Sequence, residues 1–151
     1  MIDKKFKPDK DFLFVHIRRS DFLKINEFKE LNFSDDVWFK SIIKVCQNES
    51  INRVVIFSDC DLNSLFISKL ESYNIKVLLA DNKISKGIPF LDLFINYLFN
   101  AKSVICNAST LLLSLSFIFH KKIYLPSENS YFQKISLNNA HKSYPIKLNC
   151  N

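Results

Sequence analysis

Residues 14–22 read Phe-Val-His-Ile-Arg-Arg-Ser-Asp-Phe, and the predicted organisation of the chain starts from this stretch. Residues 13–17 form an apolar, partly β-branched run that predicts a buried strand. Arg18 and Arg19 follow directly. Because ligands bind at the carboxyl edge of open α/β sheets, paired guanidinium groups at that edge predict an anion site.

The two adjacent arginines stand out because the chain otherwise uses lysine. It has 18 lysines and three arginines, and two of these are Arg18 and Arg19. Arginine presents a rigid fork of donors that binds phosphate or carboxylate in a bidentate way, which lysine cannot do. A solvated positive pair at a strand end is the alternative. The choice of guanidinium favours the anion site.

Length and composition predict one packed domain. A chain of 151 residues can bury about 68–70% of its unfolded surface. Its hydrophobic content of 48% and aromatic content of 14% are typical of a globular protein. The single glycine, Gly87, excludes a glycine-rich phosphate loop. Side chains and helix amino termini must therefore hold any phosphate.

The net charge of +6 permits an anionic partner, which could be a nucleotide sugar, nucleic acid or an acidic membrane surface. A nucleic-acid-binding protein clusters its basic residues on one element, whereas these lysines are spread along the chain. We therefore expect no nucleic-acid binding, and peripheral membrane association stays open.

The four cysteines are far apart and show no Cys-x-x-Cys spacing, so they predict neither a zinc site nor a disulfide framework. The polar residues 1–9 lack the apolar core of a signal peptide. The longest apolar stretch, residues 111–119, is shorter than the ~20 residues of a membrane span. These features favour the cytoplasm, with the inner face of the membrane as a second location.

Strand and helix patterns alternate along the chain. After the first strand, strand patterns lie at residues 53–57, 75–79, 103–106, 122–125 and 146–148. Helix patterns lie at residues 34–50, 61–72, 89–100 and 111–119. This alternation is typical of βαβ units around a parallel sheet. It predicts a Rossmann-like α/β domain over residues 12–151, with residues 1–11 as a lead-in.

The helix patterns carry specific expectations. Ser34 opens the first helix as an amino-terminal cap, and Trp38 is its core anchor. Asp61 is the expected cap of the second helix, and Leu65 belongs to that helix's apolar face. The last helix is expected to be buried.

The third helix pattern is hydrophobic almost all round, apart from a polar stripe of Asp92, Asn96 and Asn100, and is otherwise expected to be buried. Asp92 falls in its first turn, near the expected ligand edge. A carboxylate there either complements the helix dipole or belongs to the site.

Residues 107–110, Asn-Ala-Ser-Thr, connect a predicted buried strand to a helix. The hydroxyls of Ser109 and Thr110 converge there with free backbone N–H groups, which makes a ready site for phosphate. Plain helix capping is the alternative. His16 lies within the first strand and is either a core histidine or a ligand contact.

Residues 16–22 resemble the His-x-Arg-Arg-Gly-Asp-Tyr motif of the α-1,2- and α-1,6-fucosyltransferases, which transfer fucose from GDP-fucose to a sugar acceptor. Ser20 and Phe22 replace the usual glycine and tyrosine. Residues 56–59, Ile-Phe-Ser-Asp, are similar to the middle motif of that family. The resemblance runs from about residue 12 to residue 133, and the three motifs come in the same order as in that family.

Residues 92–110 resemble the last motif of these enzymes, an aspartate-led helix followed by a strand and a hydroxyl-rich turn. The family usually continues with an aromatic pair, and this chain has leucines at 111–113 instead. That departure weakens an assignment to the narrower α-1,2 branch.

The resemblance implies the carboxyl-terminal, donor-binding domain of a GT-B-type glycosyltransferase. It also implies inverting, metal-independent transfer from GDP-fucose to a glycan acceptor such as a galactoside. Arg18 would hold the β-phosphate and neutralise charge on the departing GDP. The implied catalytic residues are Arg18 and Asp21, Asp21 being a candidate base or an orienting group. The implied substrate-binding residues are His16, Arg19, Ser58, Asp59, Asp92, Asn107, Ser109 and Thr110.

Asp59-Cys-Asp61 also matches the Asp-x-Asp metal signature of another glycosyltransferase fold. Two carboxylates alone are a weak signal, and Asp61 is the expected helix cap. We therefore expect no metal ion.

The fucosyltransferases that this chain resembles usually have about as much chain again before the arginine motif. We therefore expect a truncated form whose acceptor side comes from an amino-terminal half or a second subunit. The alternative is a nucleotide-sugar-binding remnant without catalysis.

Overall fold

A computed structural model describes residues 11–20, 32–80, 90–107, 109–126 and 146–147. The strands in it are β1 (Leu13–Ile17), β2 (Arg53–Ser58), β3 (Lys76–Ala80), β4 (Ser103–Cys106), β5 (Lys122–Leu125) and β6 (Ile146–Lys147). The helices are α1 (Asp35–Glu49), α2 (Ser64–Glu71), α3 (Phe90–Asn100) and α4 (Thr110–Ile118). The predicted elements are confirmed in kind and order.

All six strands pair in parallel, in the order β3-β2-β1-β4-β5-β6. The first strand therefore lies between β2 and β4. The chain first builds the sheet outward to β3 on one side of β1, and then from β4 to β6 on the other side. This strand order belongs to the doubly wound Rossmann type, in which β1 and β4 flank the topological switch point. The predicted Rossmann-like α/β fold is confirmed.

Both faces of β1 are buried against helices. Leu13, Val15 and Ile17 are in one core cluster with the buried residues of α1 and α2. Phe12 and Phe14 are in a second cluster with those of α3 and α4. Burial on both faces explains the continuous apolar run, because strands of a parallel sheet are covered by helices on each side.

The first helix follows its sequence signals. The Ser34 side chain accepts a hydrogen bond from the Val37 N–H, which is the expected amino-terminal cap. Trp38 is fully buried, so its role as a core anchor is confirmed. The helix ends at Glu49, and the capping residue Ser50 adopts the left-handed conformation with φ of 53°.

The expected start of the second helix is wrong. Asn63, not Asp61, caps α2, because its side-chain oxygen accepts from the Leu65 N–H at 2.9 Å. From this start, Phe66 and Leu70 face the core one turn apart. Leu65 lies off that face and is 73% exposed, so its predicted burial is also wrong.

The expected burial of the third and fourth helices is only half right. Leu91 and Phe99 of α3 are about half exposed, as are Leu111 and Ile118 of α4. Each helix packs one side against the sheet and turns the other outward, because a helix in an outer layer of an α/β fold has a single covered face.

Lysine side chains satisfy helix carboxyl termini near the amino edge of the sheet. The Lys102 ammonium donates to the Glu49 carbonyl at 2.7 Å. The Lys121 ammonium donates to the carbonyls of Phe99 and Ala101 at 2.7 and 2.8 Å. Cations at these positions also suit the helix dipole.

Cys46, Cys60 and Cys106 are free thiols. Cys150 lies outside the described part of the chain. Among the helices in the described ranges, none is long and apolar enough to cross a membrane.

Candidate functional site at the carboxyl edge of the sheet

The ends of β1 and β4 are joined by one asparagine. The Arg18 N–H donates to Asn107 Oδ1 at 3.1 Å, and Asn107 Nδ2 donates to the Arg18 carbonyl at 2.6 Å. Asn107 is fully buried. Its side-chain amide therefore fixes the backbone at the topological switch point.

The end of β2 holds the same segment from the other side. Asp59 Oδ1 accepts from the Arg19 N–H at 2.8 Å, and Oδ2 accepts from the Ser20 N–H at 3.1 Å. The Ser20 hydroxyl also donates to Oδ2, at 2.6 Å. The backbone N–H groups of residues 18–20 thus donate to protein atoms.

The Arg19 guanidinium is bonded within the fold. Arg19 Nη2 donates to the Phe33 carbonyl at 3.2 Å and to Asp35 Oδ1 at 2.6 Å. Its Nε is buried without a hydrogen-bond partner among the described residues. Since Asp35 lies in the first turn of α1, the Arg19 guanidinium ties the end of β1 to this helix.

His16 lies in the middle of the sheet, beside Phe57 of β2 and Cys106 of β4. Its ring packs edge-to-face on Phe94, with 5.3 Å between ring centroids. Its Nδ1 is buried and has no hydrogen-bond partner within the described ranges. A buried polar atom of this kind is costly unless a partner reaches it.

Burial lowers the pKa of His16 to about 4. The negative charge of Asp59 opposes this shift, and the positive charge of Arg18 adds to it. The imidazole is therefore neutral at physiological pH. His16, Arg18 and Asp59 form one electrostatically linked group.

Ser109 caps α4. It is 4% exposed, and its hydroxyl oxygen accepts from the Leu112 N–H at 3.3 Å. The capping explanation is therefore correct for this residue. A hydroxyl that accepts can still donate, so a phosphate role is compatible with the cap. Thr110 is the first residue of α4.

The remaining predicted site residues that the structure describes take no part in the contacts between β1, β2 and β4 described above. Ser58 closes a local turn, in which its hydroxyl oxygen accepts from the Cys60 N–H at 3.3 Å. Asp92 is exposed in the first turn of α3 and forms no ion pair with another described residue. Asp21 and the Thr110 side chain lie outside the described part of the chain.

Three residues near the site were not assigned to it from the sequence: Ser20, Asp35 and Phe94. In the sequence, Ser20 is only a replacement for the usual glycine, and its partner Asp59 is 39 positions away. Asp35 lies in the first turn of α1, where an acid also complements the helix dipole. Contacts of this kind join residues that are distant in the sequence, and local sequence patterns carry no signal for them.

Within the described ranges, no group of three or more histidine, cysteine, aspartate or glutamate side chains could hold a metal ion. The Asp59 carboxylate uses both oxygens for hydrogen bonds to Arg19 and Ser20.

No model of a known protein family matches the chain, and no curated protein sequence is detectably similar to it. Solved structures of POFUT1, a GT-B fucosyltransferase, are similar in fold. This chain therefore shares a fold with part of POFUT1.

The apo form of POFUT1 matches with a TM-score of 0.60 at 14% identity, over 79% of this chain and 42% of POFUT1. The GDP complex matches with 0.53 at 15% identity, over 70% of this chain and 38% of POFUT1. The GDP-fucose complex gives the same score and identity, over 70% and 36%. The chain thus spans less than half the length of POFUT1.

Proposed function

We propose that this protein binds GDP-fucose at the β1–β4 switch point and is the donor-binding part of a metal-independent fucosyltransferase. The observation that carries the proposal is the hydrogen-bonded junction of Arg18 and Asn107, directly followed by the amino terminus of α4. This junction lies in a fold similar to that of POFUT1, which was solved with GDP and with GDP-fucose.

Arg18 is the proposed ligand of the β-phosphate. A guanidinium group aimed at the departing GDP stabilises the charge that develops as the bond to fucose breaks. Arg19 is proposed to act through α1 instead, since its guanidinium is paired with Asp35.

The amino terminus of α4 is the second proposed phosphate contact. Its backbone N–H groups and the hydroxyls of Ser109 and Thr110 suit an anion, because helix amino termini carry partial positive charge. Ser58 and His16 are proposed to line the same site. Asp92 is proposed as a more distant contact, and Asp21 as a candidate base.

The proposed acceptor is a glycan, with an α-1,2-linked galactoside product as the specific expectation. This part rests on the motif resemblance of residues 16–22. An acceptor-binding wall from an amino-terminal half or a second subunit completes the proposal.

Isothermal titration of the purified chain tests donor binding directly. We expect GDP to bind more tightly than ADP or UDP, and GDP-fucose to compete with GDP. Equal affinity for the three nucleotides would contradict a guanosine site, and no binding to any would remove the proposal.

Binding without transfer is the second candidate function. It is favoured by the match itself, which covers 42% of POFUT1. Catalysis between two substrates depends on holding both in register, which can contribute ~7–11 kcal/mol. A transfer assay with GDP-fucose and lactose separates the candidates, because a binding protein yields no fucosylated product.

A further inference from the structure

The side chains of Asp59 and Asn107 form hydrogen bonds to the backbone of one short segment, residues 18–20. Both carboxylate oxygens of Asp59 accept from residues 19 and 20, at 2.6 to 3.1 Å. Both polar atoms of Asn107 bond to Arg18. The segment 18–20 is therefore held from β2 on one side and from β4 on the other.

We propose that Asp59 and Asn107 are positioning residues that act on the bound diphosphate through Arg18, without touching the nucleotide. This inference rests on the proposed function. It changes the role of two residues that the motif resemblance implies are substrate ligands.

A bidentate guanidinium contact depends on direction as well as charge. A firmly held Cα atom of Arg18 limits the positions and directions that the guanidinium fork can reach. Hydrogen bonds at residues 18, 19 and 20 hold that atom before any ligand arrives. Preorganised groups bind more tightly because they lose less conformational freedom on binding.

Ser20 belongs to the same arrangement. Its hydroxyl supplies the shortest of the three bonds to Asp59, at 2.6 Å. A glycine at this position could not donate that bond. We therefore expect Ser20→Ala to weaken GDP binding in the same direction as loss of the Asp59 carboxylate, and by less.

Asp59 offers the cleaner test because its side chain is exposed, whereas Asn107 is fully buried. Asp59→Asn keeps the size of the side chain and replaces one acceptor oxygen with a donor. Asp61→Asn is the matched control, since Asp61 is also exposed, lies two positions along and loses the same charge.

The test is a double-mutant cycle on the full chain, read by calorimetry with GDP. We expect Asp59→Asn to weaken GDP binding about tenfold, the size of one charge-assisted hydrogen bond. In an Arg18→Lys background the same change should cost less than about twofold, because residues that act through one another are not additive. Asp61→Asn should leave the affinity at the parent value.

An additive effect would show that Asp59 touches the nucleotide itself, and would overturn the positioning role. So would an Asp59→Asn variant that binds GDP as the parent does. If the parent chain binds no GDP, the proposed function fails.

Amide hydrogen exchange without ligand separates these failures. Exchange at Arg19 and Ser20 should accelerate in Asp59→Asn, while that at Val55 and Ile56 in the core of β2 should not. Unchanged exchange at Arg19 and Ser20 would overturn the positioning role alone, whether or not the parent binds GDP.

Discussion

Arg19 and Asp35 form an ion pair of 2.6 Å that links the end of β1 to the first turn of α1. The arginine is largely buried, with 17% of its side chain exposed. The pair ties the second arginine of the motif to α1.

The first prediction concerns this ion pair. Asp35→Asn removes the charge that faces Arg19, whereas Asp36→Asn removes a charge from the same helix turn at a more exposed position. Loss of helix-dipole complementarity is shared by both variants. We expect Asp35→Asn to lower the free energy of unfolding by about 1 kcal/mol more than Asp36→Asn does, because a half-buried charged hydrogen bond is worth more than an exposed pair.

Urea denaturation of the two variants measures this difference. The dependence of the unfolding free energy on urea concentration should be the same for the two variants, so that their midpoints report the difference in stability. Equal midpoints would show that the Arg19–Asp35 pair contributes no more than the exposed pairs of Asp36 with Lys40 and Lys69.

The second prediction concerns Arg18. Arg18→Lys keeps the charge and loses the two-pronged geometry, so we expect GDP binding to weaken by about 1.5–3 kcal/mol. Arg53→Lys is the matched control, since Arg53 begins β2 at the opposite, amino edge of the sheet. Calorimetry with GDP should show parent affinity for Arg53→Lys. Parent affinity in the Arg18 variant as well would rule Arg18 out as a phosphate ligand.

The third prediction concerns metal ions. If guanidinium and helix-terminal groups neutralise the diphosphate, GDP affinity should be the same with and without EDTA. The Asp59 carboxylate already accepts three hydrogen bonds, which disfavours a role as a metal ligand. A loss of affinity on chelation that Mn²⁺ restores would instead make Asp59 and Asp61 metal ligands.

The fourth prediction concerns pH. The pKa of His16 is about 4 in the folded protein, below its ordinary value of 6.5, because burial disfavours the charged ring. The unfolded chain therefore takes up the proton first as the pH falls. The stability that the neutral ring contributes is complete above about pH 6.5 and is lost between pH 6.5 and 4, by up to about 3 kcal/mol.

Unfolding free energies between pH 7 and 4 check this loss, and His16→Gln should flatten the curve over that interval. Asp59→Asn should move the His16 titration to lower pH, because the negative charge of Asp59 partly opposes the lowering of the His16 pKa by burial. A His16→Gln curve as steep as the parent's would assign the pH dependence to other groups.

The order of the elements was predictable because each carries a local signal. Apolar runs bounded by polar residues marked the strands, and Ser34 with Trp38 marked the cap and the buried face of α1. Alternation of the two patterns indicates a parallel sheet, because parallel strands need a crossover that is usually a helix.

The exposure of individual apolar side chains was less predictable. Leu65 and Phe99 fit a helical apolar pattern in the sequence, yet they are 73% and 58% exposed. Their burial depends on where the helix begins and on which neighbouring layer covers it. Neither property is local in the sequence.

The sequence by itself placed Arg18, Asp59 and Asn107 at strand ends, and so predicted that a site lies at the carboxyl edge. Only the tertiary structure decided which groups meet there and what each side chain bonds to. The Arg18–Asn107 and Ser20–Asp59 contacts join residues 89 and 39 positions apart. Such contacts depend on β1 lying between β2 and β4, and that strand order is set by the packing of the whole domain.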